Sequence, residues 1–366
     1  MQVDDLRGLS MTKEFRKSTS NIVGTDMSRY KIVEPGKFAC DFMSVIRVHK
    51  LPVVLNTEEN AVIVSPAYTV FEVIDENELI PEYLMMWFRR SEFDRYADFK
   101  CDSAIRGGFG WDELCEVVLP IPSPAKQREI VNEYNTVVNR IKLNEELNLK
   151  LEETAHTLFS RWFGVGEENS SIPVDLSKYI QFNPKETIPK GRKAPYIEMS
   201  VLNETHMSID SYRYRPYKSG TKFQNGDTLF ARITPCLENG KTGFVQILPR
   251  DEIAFGSTEF IVMRPKIGTS KFWVYCLARN INFRDYAISS MTGTSGRQRV
   301  HTDYLKSFKV SKVEGGEMSK FENLVAPLFD SIKSYSDEIK CLVQLREVIL
   351  GKMSTVSKSI MANEIH

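Results

Sequence analysis

The sequence predicts an α+β protein made of two similar lobes and two long helices, and three patterns support this prediction. A helical segment follows the proline-rich stretch LPIPSP (119–124) and contains no glycine or proline until Gly164. A second apolar heptad pattern follows VEGGEMSK (313–320). The stretches that precede the two helices also resemble each other at an offset of about 190 residues. We therefore expect the order lobe, helix, lobe, helix.

Each long helix carries a narrow apolar stripe with alternating spacings of four and three residues, which is the heptad pattern of a helix that packs against a partner helix. A helix of forty residues would be about 60 Å long. The first stripe is interrupted by Asn144 and Asn148, and the second by Arg346. The apolar positions are Ile130, Tyr134, Val137, Ile141, Leu151, Ala155, Leu158 and Trp162 in the first helix, and Val325, Leu328, Ile332, Tyr335, Ile339, Leu342, Ile349, Met353 and Val356 in the second.

The repeat offset is nearly constant along the lobes. Gly36 aligns with Gly226 and Phe93 with Phe283 at an offset of 190, and Leu114 aligns with Leu305 at 191. Solenoid repeats have periods of about 20–50 residues, so an offset of this size indicates domain duplication. The expected domains are residues 1–122, helix 123–164, residues 165–312 and helix 313–366.

Within each lobe, short β-rich stretches are interrupted by one helical segment. The helical segments are PEYLMMWFRRSEFDRYA (81–97) and SKFWVYCLARNINFRDYA (270–287), and the mixture indicates α+β lobes. The expected strands lie within 61–74, 114–122, 227–233, 243–248 and 258–265.

Composition restricts the classes of function. Lys and Arg together number 48, as do Asp and Glu, so a polyanion would have to be bound by local basic patches. The six cysteines include no C-x-x-C pair, which favours reduced thiols and a cytoplasmic location. The N-terminal residues show no secretory leader, and no apolar run is long enough for a membrane span.

Motifs for catalysis, cofactors and metals are missing. Asn183-Pro184-Lys185 lacks the second proline and the aromatic residue of an amino-methyltransferase motif, and no nucleotide-binding loop of the G-x-x-x-x-G-K-S/T type occurs. The five histidines show no zinc-ligand spacing. The sequence therefore nominates no catalytic, cofactor-binding or metal-binding residue, although residues distant in the chain can still form a triad.

Basic clusters could instead contact the phosphates and bases of nucleic acid. The segment SYRYRPYKSGTK (211–222) interleaves cations with tyrosines, and TGTSGRQRVH (292–301) places arginines on a glycine-containing loop. Taken singly, each cluster fits a solvated loop equally well, but matching loops in both lobes favour a function. The candidate DNA-binding residues are Lys13, Arg16, Lys17 and Arg106 in the first lobe, and Arg213, Tyr214, Arg215, Lys218, Lys222, Arg297, Gln298 and Arg299 in the second.

These features together resemble the specificity subunits of type I restriction-modification enzymes. The junction LPIPSPAKQREIV (119–131), with Gln127 at the start of the helix, is similar to a junction in that family, as are segments 226–245 and 291–310. The resemblance implies two target-recognition domains that each read one half of a bipartite site in double-stranded DNA. It also implies two long helices that pair antiparallel, set the spacing and dock two methyltransferase subunits.

The same resemblance implies a non-catalytic subunit, with the methyl donor, ATP and Mg²⁺ held by partner methyltransferase and restriction subunits. The second junction departs from the pattern because it lacks the prolines and the glutamine. The region equivalent to Val174–Lys190 would also fall before residue 1. In the family the end of the chain supports such a shortened beginning, which gives the tail MANEIH (361–366) a possible role.

Two other classes of function remain open at this point. The chain could be a coiled-coil interaction scaffold that does not touch DNA. A self-sufficient DNA-modifying enzyme would need a donor-binding motif that the sequence lacks.

Overall fold

The computed structural model describes residues 5–18, 26–103, 108–164, 172–294, 296–314 and 316–354. The described residues form two compact units. The first contains the residues up to Ile141 together with those from Lys340 onward, and the second is Lys142–Ile339. Two long helices, Pro124–Phe163 and Glu317–Lys352, contribute residues to both units. Because Val356 and the tail 361–366 lie outside the described residues, the expectations for them stay predictions.

The first unit consists of short antiparallel strands packed against helices. Its core contains Phe38, Val53, Phe88, Phe93 and Phe109, and the rings of Phe38 and Phe71 stack with centroids 4.8 Å apart. The strands form the sheets β1-β2, β3-β6 and β5-β4-β7. The elements are β1 (Arg7–Leu9), β2 (Phe15–Lys17), β3 (Lys31–Val33), β4 (Phe38–Cys40), α1 (Val45–Val48), β5 (Val53–Leu55), β6 (Val62–Val64), β7 (Thr69–Phe71), α2 (Pro81–Phe88), α3 (Ser91–Ser103), α4 (Trp111–Cys115) and the start of α5 (Pro124–Phe163).

The second unit has longer strands in the sheets β11-β10-β15-β12, β14-β13-β16-β9 and β17-β8. Helix α6, in which residues 272–278 are buried, packs against β13 and β16. The elements are β8 (Pro173–Asp175), β9 (Ile180–Phe182), β10 (Lys193–Ile197), β11 (Arg213–Pro216), β12 (Thr221–Phe223), β13 (Thr228–Ala231), β14 (Thr242–Phe244), β15 (Ala254–Gly256), β16 (Phe260–Pro265), α6 (Lys271–Arg279), α7 (Ile281–Ser289), α8 (Thr302–Lys306), β17 (Lys309–Ser311) and α9 (Glu317–Lys352), of which α9 ends in the first unit.

The two units share their central strand pairings, which confirms the duplicated α+β fold. Strands β3, β4 and helix α2 begin 190 positions before β12, β13 and α6, and the antiparallel pairs β3-β6, β4-β5 and β4-β7 match β12-β15, β13-β14 and β13-β16. The parallel bridge between Leu6 and Ile63 also matches the parallel pairing of β10 with β15.

The turns that precede β4 and β13 have the same backbone geometry in the two units. Gly36 and Gly226 have φ values of 83° and 92°, a left-handed conformation that glycine adopts without strain. Their N–H groups donate to the carbonyls of Asn56 and Val245 at 2.9 and 2.8 Å. The aligned glycines in the sequence therefore mark equivalent turns.

One predicted strand is wrong. Residues 114–122 contain the end of α4 followed by irregular chain, and no strand. The corresponding strand in the second unit, β17, is held by antiparallel pairing with β8. The first unit has no counterpart of β8 among its described residues, so an isolated strand at this position would lack a hydrogen-bonding partner.

In the second unit the end of α5 packs antiparallel to the start of α9. Asn148 donates from Nδ2 to Ser336 Oγ at 3.2 Å, and the ring centroids of Phe163 and Phe321 lie 5.1 Å apart. Residue numbers therefore increase along α5 in the direction in which they decrease along α9. The buried side chains at this contact are Ala155, Phe159, Phe163, Phe321, Val325, Phe329 and Ile332. Each buried phenylalanine contributes about 1.5–3 kcal/mol by leaving water.

The predicted stripe of α5 is correct up to Ala155 and wrong at Trp162, which is 46% exposed. Phe159 and Phe163 are buried instead, because this end of the helix also packs on the lobe through Trp273. Because of this contact with the lobe, the buried residues at the end of α5 recur every four positions and no longer follow the heptad stripe.

In the first unit the start of α5 packs against the end of α9. Tyr83, Met86, Ile130, Tyr134 and Leu350 belong to one buried cluster, to which Met353 and Val131 also contribute. Arg90 donates a hydrogen bond to Ser354 Oγ, just past the end of α9. The first unit thus takes part of its core from the far end of the chain.

Gln127 fixes the direction in which α5 leaves the first unit. Its side chain is fully buried, donates from Nε2 to the carbonyls of Glu78 and Pro122 at 2.6 and 2.8 Å, and accepts from the N–H of Ile80 at 2.8 Å. The prolines before it end the extended chain, and Pro124 occupies the first helical turn, where a missing N–H has no cost.

Candidate nucleic-acid interface

The sheet β11-β10-β15-β12 of the second unit buries one face in an apolar core, and its other face carries basic and aromatic side chains around the buried Phe255. Ile197 and Phe223 point into an apolar core. Tyr196, Phe255 and Lys222 form one row across neighbouring strands, and they lie on the opposite face because side chains alternate along a strand.

Arginines lie on this second face. The Arg215 guanidinium lies 4.5 Å from the centroid of the Tyr196 ring, and Lys222 Nζ lies 5.0 Å from that of Tyr217. Arg213 and Arg215 share the carboxylate of Glu198 at 3.2 and 2.6 Å. One carboxylate neutralises only one of the two arginines, so the group keeps a net positive charge.

Tyr214 does not belong to this basic group, although it lies between the two arginines in sequence. Tyr214 is the β-sheet partner of Pro195, so its side chain lies on the opposite face of the sheet from those of Arg213 and Arg215. Its hydroxyl donates to Glu252 at 3.1 Å. Lys218 is exposed and forms no ion pair with any residue that the structure describes. The predicted cluster 211–222 therefore divides between two faces of the sheet.

Residues 292–294 and 296–299, here called the arginine loop, are fixed at their base. Thr234 N–H donates to the Gln298 carbonyl at 3.1 Å, and Gln298 N–H donates to Thr234 Oγ1 at 3.1 Å. Arg299 donates from Nε and Nη2 to Glu259, with distances of 2.7–3.0 Å. Hydrogen bonding from Arg299 holds the pKa of Glu259 below its usual value.

Arg297 is the exposed cation of the arginine loop. Its backbone N–H closes a turn onto the Thr294 carbonyl at 2.9 Å, and its side chain makes no hydrogen bond or ion pair within the described part of the chain. Gly293 and Gly296 have φ values of 131° and 77°, which other residues rarely adopt. The loop thus presents one unpaired guanidinium on a fixed backbone.

The arginine loop and the segment 218–222 flank the same turn, Gly256–Phe260. Gly220 passes so close to this turn that a Cβ would lie 2.2 Å from the Gly256 carbonyl oxygen. Thr221 pairs with Gly256, and Glu259, three residues further on, holds Arg299. Two clusters that are separated by seventy residues in sequence therefore lie on one side of the second unit.

In the first unit, Arg16 and Lys17 lie exposed on β2. Arg16 Nε donates to the Leu9 carbonyl at 3.4 Å, and its guanidinium covers Gly8. Lys17 makes no ion pair with any described residue. Arg106 lies outside the described residues, so its assignment stays a prediction.

The assignment of Lys13 to a DNA-contacting surface is wrong. Lys13 is buried, and its ammonium group donates to Asp94 Oδ1 at 2.7 Å and to the carbonyl of Phe88. Burial lowers the pKa of Lys13, and Asp94 partly offsets the effect. This lysine ties the β1-β2 hairpin to helices α2 and α3 and cannot reach a phosphate.

Sequence reasoning missed the residues that organise the interface. Glu198, Thr234 and Glu259 hold the arginines and the loop, but each lies 15 to 64 positions from its partners in the chain. No short spacing could have linked them.

Within the described ranges, no group of His, Cys, Asp and Glu could hold a metal ion. No helix formed by those residues has the length and apolarity needed to cross a membrane.

Comparison with known proteins gives the class of this second unit. Residues 176–313 match the family model described as "Type I restriction modification DNA specificity domain". The chain is 22% identical over 322 residues to the type I restriction enzyme MjaIX specificity subunit of Methanocaldococcus jannaschii, covering 77% of this chain and 70% of that protein.

The type I restriction enzyme EcoAI specificity subunit of Escherichia coli is 26% identical over 190 residues, which cover 49% of this chain and 32% of that protein. The matched part is thus about a third of that relative. The crystal structure of a type I restriction-modification S subunit from M. genitalium has the same fold, with a TM-score of 0.53, 12% identity and coverage of 90% of this chain and 85% of that one. Residues 176–313 therefore match the DNA specificity domain family, and the chain as a whole is similar to type I restriction-modification specificity subunits.

Proposed function

We propose that the chain is the DNA-recognition subunit of a type I restriction-modification complex, in which each unit reads one half of a bipartite site in double-stranded DNA. The observation that carries this proposal is the duplicated topology, together with the basic interface of the second unit. Two homologous units in one chain match a site with two halves, as dimeric DNA-binding proteins match two half-sites. The neutral net charge is compatible with local basic surfaces of this kind.

In the second unit, Arg297 is the candidate for direct base readout, since a free guanidinium can bond bidentately to guanine in the major groove. Arg213, Arg215, Lys218 and Lys222 would contact phosphates and set the register of the unit on the duplex. Gln298 and Arg299 would hold the loop. In the first unit, Arg16 and Lys17 are the described candidates for phosphate contacts.

The long helices would set the distance between the half-sites and dock two methyltransferase subunits. Exposed apolar side chains support docking, among them Leu143 and Leu149 on α5 and Leu345 and Val348 on α9, which are 45–51% exposed. Contiguous exposed apolar patches are typical of protein interfaces, so docking requires that these side chains act together with their neighbours. Methyl transfer and cleavage would be performed by partner methyltransferase and restriction subunits, which would hold the methyl donor, ATP and Mg²⁺.

The test is reconstitution of the full chain with the methyltransferase subunits of its own system, followed by sequencing of methylated bases. The proposal expects a bipartite methylated sequence, no methylation by the chain alone, and retention of duplex DNA by the complex. If the assembled complex neither retains nor methylates DNA, the chain would instead be an interaction scaffold that does not contact DNA. Methyl transfer by the purified chain alone would indicate a self-sufficient enzyme.

The spacing role is tested separately by deleting one heptad from each long helix. The proposal expects the same two half-sites with a narrower gap between them. If the gap between the methylated half-sites is unchanged, the helices do not set the spacing.

A further inference from the structure

The connection between β4 and β5 in the first unit exposes two large apolar side chains. Met43 is 76% exposed and Ile46 is 55% exposed. They are three residues apart in a helical turn formed by the 3-10 helix Phe42–Ser44 and α1, so they lie on the same face of that turn. The turn thus presents a small apolar surface to solvent.

This surface is held on a fixed backbone. Asp41 caps the turn by accepting hydrogen bonds from Met43 N–H at 3.1 Å and Ser44 Oγ at 2.6 Å. Val45 is fully buried beneath the turn, and His49 ends α1 in a left-handed conformation while its Nδ1 lies 2.8 Å from Asp98 Oδ1. The exposure of Met43 and Ile46 is therefore a consequence of a well-anchored turn.

The turn carries two exposed cations, Arg47 and Lys50, and one carboxylate, Asp41, which accepts the capping hydrogen bonds. Residues 42–52 include Arg47, His49 and Lys50 and no acidic residue. Arg47 and Lys50 are exposed and form no ion pair with any residue in the described ranges. An apolar patch with free cations at its edge complements a polyanion that also presents apolar groups.

The equivalent connection in the second unit lies at the candidate interface. It joins β13 to β14, the counterparts of β4 and β5, and it contains Thr234, which holds Gln298 in the arginine loop. By this equivalence, Met43 and Ile46 lie on the side of the first unit that corresponds to the DNA-facing side of the second.

We infer that Met43 and Ile46 contact thymine methyl groups in the half-site read by the first unit, with Arg47 and Lys50 on the adjacent phosphates. The thymine methyl is the apolar group that the major groove presents, and apolar side chains are its usual partners. This inference rests on the proposed function. It implies that the two units read their half-sites by different chemistry, with apolar contact in the first and an arginine in the second.

The experiment uses the full chain assembled with its methyltransferase subunits and duplexes that carry the methylated sequence. The half read by the second unit is identified as the one whose sequence preference changes with Arg297→Ala. In the other half, each thymine is replaced in turn by deoxyuridine, which removes only the methyl group. We expect at least one replacement to weaken binding about fourfold, the effect of one buried methyl or methylene group.

In the double variant Met43→Ser/Ile46→Ser, the same thymine and deoxyuridine duplexes should bind equally well. Ile74→Ser is the matched control, because Ile74 is 83% exposed elsewhere in the first unit, and it should keep the discrimination. The inference is overturned if the unsubstituted complex binds all deoxyuridine duplexes normally, or if the double variant still discriminates. It is also overturned if the double variant fails to bind the methyltransferase subunits, since the surface would then contact protein.

Failure of the proposed function would look different. In that case the unsubstituted complex would show no binding or methylation of any duplex, whatever its thymine content.

Discussion

Arg299 and Glu259 form a two-point ion pair in the second unit, with Nε 2.9 Å from Oε2 and Nη2 2.7 Å from Oε1. Both donor positions of the guanidinium that face the carboxylate are thus occupied, and this geometry fixes orientation as well as distance. Arg297, two residues earlier, is exposed. The two arginines of the loop therefore have different roles. Arg299 holds the backbone, and Arg297 is available to bind a ligand.

Replacing Arg297 with alanine is expected to relax the sequence preference in one half-site while the complex still assembles. The loss of one bidentate base contact corresponds to about 1–3 kcal/mol of discrimination. Methylated-base sequencing of the reconstituted complex measures the effect at each position of the site. Arg250→Ala is the control, since the Arg250 side chain is 95% exposed and, among the described residues, forms an ion pair only with its neighbour Asp251. An unchanged methylated sequence with Arg297→Ala would contradict the assignment of the arginine loop.

Lys13 and Lys17 offer a matched test, because both were predicted to bind DNA and only Lys17 is exposed. Lys13→Ala should destabilise the first unit by about 3–5 kcal/mol, because it leaves Asp94 without its buried partner. Lys17→Ala should leave stability unchanged and lower the salt dependence of DNA binding by about one phosphate contact. Thermal unfolding and binding at several salt concentrations separate the two effects. Lys13→Ala with unchanged stability would show that the buried ion pair has no structural role.

The duplicated fold could be predicted from the sequence because its signals are local. Gly36 and Gly226 mark turns that require a left-handed backbone, and the heptad stripes mark helices that need partners. These features depend on neighbouring residues, so they survive in a single sequence. The wrong strand at 114–122 depended instead on a pairing partner that the first unit lacks among its described residues.

The site could be predicted only in outline, because its organisation depends on distant contacts. The sequence shows that Lys13 is basic, but Asp94, which explains its burial, lies 81 positions away. It likewise shows the arginines at 213 and 215 but not Glu198, which pairs with both. The sequence could therefore nominate basic residues as a class, while their exposure and pairing required the structure.

Gln127→Ala is expected to destabilise the first unit, because it removes three hydrogen bonds and leaves the N–H of Ile80 and the carbonyls of Glu78 and Pro122 without this partner. An unsatisfied buried polar group costs about 1–3 kcal/mol, so the total loss should reach at least that range. Chemical denaturation measures it. Gln344→Ala on the exposed face of α9 is the control and should have little effect. Equal stability of the two variants would mean that the junction does not depend on Gln127.

The last prediction concerns Glu152, a buried carboxylate through which α5 holds the lobe of the second unit. It accepts a hydrogen bond from Met207 N–H at 2.8 Å and another from the Tyr275 hydroxyl, and His156 Nε2 lies 3.6 Å away. Burial alone would raise the pKa of Glu152, but the nearby His156 and the hydrogen bonds from Tyr275 and Met207 together lower it below the usual 4.5. The folded state therefore favours the ionised carboxylate.

A lowered pKa in the folded state gives stability that is fully present above the usual glutamate pKa and is lost as the pH falls through the lowered value. We expect the Met207 amide of the natural protein to lose protection from hydrogen exchange as the pH falls below about 4.5, after correction for the intrinsic exchange rate. Glu152→Gln keeps an acceptor for this amide and removes the titrating group, so its protection should change less over the same range. If both proteins lose protection with the same pH dependence, a group other than Glu152 controls the stability of this contact.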